Sequence, residues 1–307
     1  MKSKIRSLVI VLGYIASTLL HACASDVPDT TSDIVYVGST PGDLAILTML
    51  GLPNQPEVDF IRWHLTFSKN DARSGEFVMD LNYGVAKQNT LGFIDGGKKL
   101  NCAGRYHVSE HNGKSIYSLV SDEPVILLQL VMLTENLLHI LTSDQRLMIG
   151  NGGWSYTLNR MEPLTELASQ PAILSTPASG ATDNTEDVVF EGRTPCMPFA
   201  QQYVLQVGED CIKLKWRLTL HTDPMTTEPS TYTLQRTGSR TNDIMGTWTL
   251  LHASTTGVII YVLDPDKPER SLFLLQGDEN VLFLLDRNHQ LYVGNKDFSY
   301  TLNRRNS

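Results

Sequence analysis

The sequence predicts an all-β protein made of two tandem small antiparallel β-barrels, and three observations carry the prediction. The first is an internal repeat. Residues 147–160 and 291–304 agree at nine of fourteen positions with a constant spacing of 144, and both end in Ser-Tyr-Thr-Leu-Asn-Arg. The register continues upstream: Glu135-Asn136 falls on Glu279-Asn280, Pro124 on Pro268, and Ile116-Tyr117 on Ile260-Tyr261. The second is the run pattern. Short apolar segments such as Val125–Leu133, Leu137–Leu141 and Val281–Leu285 are separated by turn residues, as in a meander of short strands. The third is that Val125–Leu133 and Leu272–Leu275 are apolar at consecutive positions. A half-wet strand alternates, so both faces of these strands need cover. Closure into a small barrel fills the inside, and a helix, the other module or a partner must cover the outside; the two central hairpins are expected near the interface of the two modules.

Further upstream the spacing changes, as loops of unequal length require. Trp63 in its strand matches Trp216, and Tyr36–Pro41 matches Phe190–Pro195. The copies are therefore 34–160 and 188–304. Between them, 161–187 is rich in Pro, Ser, Thr and Ala and reads as a linker. Leu44–Leu50 is the one segment with helical character, and Asp43 is placed to cap it. Gly150-Asn151-Gly152-Gly153 and its counterpart Gly294-Asn295-Lys296-Asp297 read as turns. In the shared tail, Tyr156, Leu158, Tyr300 and Leu302 are expected on one face of a closing strand, with Arg160 and Arg304 paired to acids at its end.

The N-terminus carries Lys2, Lys4 and Arg6, then an apolar run from Leu8 to Leu20. This reads as a signal peptide, 1–22, too short to span a bilayer. Leu20-His21-Ala22-Cys23 resembles the bacterial lipobox, which implies acylation of Cys23 and attachment to a membrane, with the small, acidic segment 23–33 as a flexible tether. Ala24 after the cysteine favours an outer-membrane lipoprotein, on the periplasmic face or the cell surface.

The chain has 25 basic and 33 acidic residues, a net charge of −8. Without Lys2, Lys4 and Arg6 the remainder stands near −11, which argues against nucleic acid or anionic lipid headgroups as main partners. With Cys23 acylated, Cys102, Cys196 and Cys211 remain. Cys196 and Cys211 share a repeat and can bridge if their Cα atoms come within about 7 Å; burial as small hydrophobes is the preferred reading.

Phe190-Glu191-Gly192-Arg193-Thr194-Pro195-Cys196, Gly246-Thr247-Trp248 and Leu284-Leu285-Asp286 together resemble the N-terminal domain of the NlpE family, outer-membrane lipoproteins of copper resistance and adhesion sensing. The resemblance covers the second module directly and the first through the repeat. It implies a distorted lipocalin-like barrel and a role in copper homeostasis or envelope stress through partner or ion binding. The chain departs from that pattern. Cys196-Met197-Pro198-Phe199 lacks the second cysteine of the family's Cys-Xaa-Xaa-Cys, the first module has neither, and a second barrel replaces the family's usual C-terminal domain.

Cys196 and Met197 are the candidate metal ligands, a thiolate and a thioether of the kind that suits cuprous ion, with His221, Met225 and Met245 nearby in sequence; the competing reading packs both under the barrel mouth. His64 and His139 read as hydrogen-bonded strand residues, and His107, His111, His252 and His289 as solvated ones. No local catalytic signature is present, so the expectation is a non-enzymatic protein. The alternative is a carrier of a small apolar ligand inside one barrel. Trp63, Trp216, Phe60, Phe67 and Phe283 discriminate the two, because these side chains filling the lumen leave no room for a ligand.

Overall fold

A computed structural model describes residues 33–52, 57–111, 113–164, 187–237, 243–252 and 257–305. The signal peptide, Cys23, the tether up to Ser32 and most of the linker lie outside the described residues.

The first barrel runs β1 (Ile34–Pro41), α1 (Leu44–Met49), β2 (Phe60–Lys69), β3 (Ser74–Gly84), β4 (Lys98–His111), β5 (Lys114–Asp122), β6 (Val125–Thr134), β7 (Leu137–Ile140) and β8 (Thr157–Arg160). The second runs β9 (Val188–Pro195), α2 (Phe199–Gln202), β10 (Lys213–Thr222), β11 (Pro229–Thr237), β12 (Ile244–His252), β13 (Ile259–Leu263), β14 (Leu272–Gln276), β15 (Val281–Leu285) and β16 (Thr301–Arg305). In both, each strand pairs antiparallel with the next and the last returns to the first, so both barrels close with the same strand order. Closure removes the unpaired edges that an open sheet leaves.

Strand alternation decides what fills each lumen. Along β2, Ile61, Trp63, Leu65 and Phe67 turn inward and are buried, while His64 is exposed. Across β3, Phe77, Met79 and Leu81 meet them. Trp63 donates its indole N–H to Thr40 Oγ1 at 2.8 Å, and Trp216 donates to Thr194 Oγ1 at 2.9 Å. The same buried donor thus finds the same acceptor in each copy, as a buried indole requires. Tyr156 and Leu158 enter the first core and Tyr300 and Leu302 the second.

The loop after the first strand differs between the barrels. In the first, Asp43 accepts from the backbone N–H groups of Ala45 and Ile46 and caps α1, as expected, and its other carboxylate oxygen accepts from the Tyr156 hydroxyl. In the second, α2 has no side-chain cap. Cys196 and Cys211 form a disulfide across the base of the loop, with Cα atoms 5.9 Å apart. The preferred expectation that these were separate buried thiols is corrected. The β9–β10 pairing sets Pro195 opposite Lys213 and so brings Cys196, one residue after Pro195, and Cys211, two before Lys213, within bridging distance. Cys102 is the free cysteine among the described residues; it is buried, and burial together with Asp80 pushes its thiol up to about 11.

Candidate functional site

The two barrels meet along a seam, and the repeat explains its geometry. On β7 and β15 every residue is buried, since alternate residues enter the barrel and the others enter the seam. Val131, Leu137, Leu141 and Leu147 of the first barrel pack against Leu275, Val281, Phe283 and Leu285 of the second. The expected placement of the central hairpins holds for these residues. Val125 and Leu127, at the far end of β6, are instead exposed, because the seam covers only the half of the strand nearer the β6–β7 turn.

The polar half of the seam is reciprocal. Ser155 Oγ meets Ser299 Oγ, and Thr157 Oγ1 meets Thr301 Oγ1 at 2.9 Å, each residue touching its own repeat partner 144 positions away. Gly150 N–H donates to Asn303 Oδ1 and Gly294 N–H to Asn159 Oδ1, both at 2.7 Å. Such self-matching contacts define a two-fold interface, here between halves of one chain. A Cβ on Gly150 would lie 2.2 Å from Trp154 O and one on Gly294 2.2 Å from Phe298 O, so both turns need glycine there. Asn151 Oδ1 accepts from the N–H groups of Gly153 and Trp154, and Asn295 Oδ1 from those of Asp297 and Phe298. The Gly-rich segment is the turn it was expected to be.

One pair breaks the symmetry. His139 stands where the repeat has Phe283, and the two rings meet edge to face at 5.7 Å. His139 is fully buried, with Nδ1 on Thr157 Oγ1 at 2.9 Å and Nε2 on Met148 O at 3.0 Å. Burial holds its pKa down to about 4, so it is a neutral, hydrogen-bonded strand residue.

A cleft of about 240 Å³ is lined by residues of both barrels. Phe93, Phe60 and Trp154 form a parallel stack with centroid spacings of 4.0 and 4.7 Å. Arg193 of the second barrel lies over the Trp154 ring, 5.6 Å from its centroid. Phe60 and Trp154 correspond in the repeat to Lys213 and Phe298, which also face each other, the ammonium 5.5 Å from the ring centroid. Arg62 bridges the barrels, donating to Asp297 Oδ1 at 2.7 Å and to Leu91 O at 2.6 Å. Lys87, exposed on the loop after β3, borders the rim. Four bases therefore surround one carboxylate. Among the described residues Arg193 and Lys213 have no ion-pair partner, and burial lowers the pKa of both, with Arg193 and Lys215 adding repulsion at Lys213.

The residues first considered for metal binding do not come together. The Cys196 sulfur is committed to the disulfide and buried, Met197 is half exposed beside it, and Met225 and Met245 are exposed. His221 is engaged with Asp187. No group of three or more His, Cys, Asp or Glu side chains is placed to hold a metal ion among the described residues. The donor set does not fit cuprous ion in this oxidised form. Arg160 and Arg304 have no acid partner among the described residues; Arg305 instead takes Glu191 at 3.3 Å.

Among the described residues the lumens are filled with side chains rather than open as carrier pockets. Trp63, Phe67 and Trp216 occupy them at 4 % exposure or less. Phe60 and Phe283 lie outside, in the cleft and the seam, because their positions along β2 and β15 have the opposite parity. A hollow of about 190 Å³ opens at the mouth of the second barrel among Tyr232, Arg236 and Asp264, below the roughly 300 Å³ of a small-molecule pocket. A depression of about 400 Å³ near His64, Asp80 and Lys296 lies on the outer wall of the first barrel.

No protein-family model, no curated protein and no solved structure matches this chain. The cleft residues come from distant segments of both modules, and sequence reasoning missed them. One signal was present: Ser155, Thr157 and Asn159 are outward polar positions, yet they are identical in both copies.

Proposed function

We propose that this chain is a non-enzymatic lipoprotein of the bacterial envelope, held to the outer membrane by acylated Cys23, whose two barrels serve as a rigid frame for binding at their seam. The observation that carries the reading is the placement of uncommitted chemistry: lumen side chains are packed, whereas unpaired bases gather in the cleft. The lipobox-like Leu20–Cys23 and the resemblance to NlpE N-terminal domains support an envelope role in stress or surface sensing. Binding of an anion or an envelope protein fits the side chains better than soft-metal ligation does. The anchor is tested by growing a bacterial host with an alkyne-bearing fatty acid. Label on the wild-type chain in the membrane fraction, and an unlabelled Cys23→Ser chain released from it, is the expected result. An unlabelled wild-type chain would overturn the anchor.

A further inference from the structure

The bases of the cleft sit where they repel one another. Lys215 and Arg193 are directly opposite on β10 and β9, an arrangement that destabilises a sheet when the charges are alike. Lys213, two residues along, points its ammonium toward the same opening. Asp297 is occupied by Arg62, so Lys87, Arg193 and Lys213 leave the cleft strongly positive in a chain whose net charge is −8. Local charge frustration of this kind marks functional sites.

The geometry selects the guest. A guanidinium laid on an indole is oriented before any ligand arrives. Its N–H edge then presents parallel donors, the arrangement that carboxylate and phosphate oxygens accept in pairs. The Lys213 ammonium, placed over Phe298 by the equivalent pair of positions, supplies a second point charge.

Building on the binding role given above, though not on the anchor, we propose that the seam cleft binds a small soluble oxyanion, a phosphate or polycarboxylate. Arg193 grips it from the Trp154 platform, and Lys213 and Lys87 close around it. Because residues of both barrels line the cleft, the site exists only when the seam is formed.

The test is calorimetric titration of the full chain in detergent with inorganic phosphate and with citrate, repeated for Arg193→Gln, Lys213→Met and, outside the cleft, Lys99→Met. Saturable binding is expected, weakened about tenfold or more by each cleft variant, the loss of one charge-assisted contact, and unchanged by Lys99→Met. Rising salt should weaken it too. Near-ultraviolet circular dichroism confirms that each variant keeps its fold. The proposal is overturned if neither anion binds, or if binding survives both cleft variants. Adhesion to phosphatidylglycerol vesicles without saturable phosphate or citrate binding would also overturn it, since the guest would then be a lipid surface. A result of either kind leaves the fatty-acid labelling outcome untouched.

Discussion

The two barrels share strand order, the buried Trp–Thr hydrogen bond and the closing strand, yet they secure the same loop by different chemistry. The first uses a carboxylate, Asp43, which caps α1 and receives the Tyr156 hydroxyl. The second uses the Cys196–Cys211 bond over an uncapped helix, and Tyr300 donates instead to the Met197 carbonyl at 2.8 Å. The seam shows the same divergence at His139 and Phe283. The shared contacts lie where the two copies must touch each other or fill a lumen. The loop staples differ where one barrel can change without disturbing its partner, and His139 and Phe283 differ at a seam position where the two unlike rings still pack edge to face.

The sharpest way to break the comparison is Phe283→Ala. It opens a cavity in the seam beside His139 and is expected to cost about 4 kcal/mol, measured by urea denaturation. Both barrels should lose stability together; a loss confined to the second would show that the seam does not couple them.

Acid sharpens it next. The folded state keeps His139 neutral down to about pH 4, whereas the unfolded chain takes up the proton near 6.5. The unfolded state therefore binds more protons between those values, so stability falls as pH drops through them, by about 3 kcal/mol. His139→Phe, which copies the repeat partner, should abolish this part of the pH dependence. A pH profile identical to wild type would show that another group carries it.

The loop staples follow. Cys196→Ser with Cys211→Ser opens a bond between residues 15 apart and should cost about 3 kcal/mol, read as a lower urea midpoint of the second barrel's tryptophans. Asp43→Ala should cost about 1 kcal/mol, seen first as faster amide exchange in α1. A carboxylate loss larger than the disulfide loss would reverse the ranking.

Repeat arithmetic made the barrels legible, because identical outward and inward positions at constant spacing leave few alternatives. Asp43 was legible for a local reason: a cap is decided within four residues. Phe60 and Phe283 were misplaced because their type says only that they are buried, and strand parity, which slips at each loop, says where. The disulfide depended on the pairing of two strands across a loop, and the cleft on side chains brought together from six segments by the seam. Composition counted the excess of acid but gave no hint that the bases would gather.

Cys102 has a practical consequence. Its thiol lies inside the first barrel, and the second barrel's two sulfurs are bonded to each other. In a Cys23→Ser chain a maleimide reagent therefore reacts at a rate set by how often β3 and β4 part. The molecule thus carries its own clock for the opening of one half, at a thiol already present in its sequence.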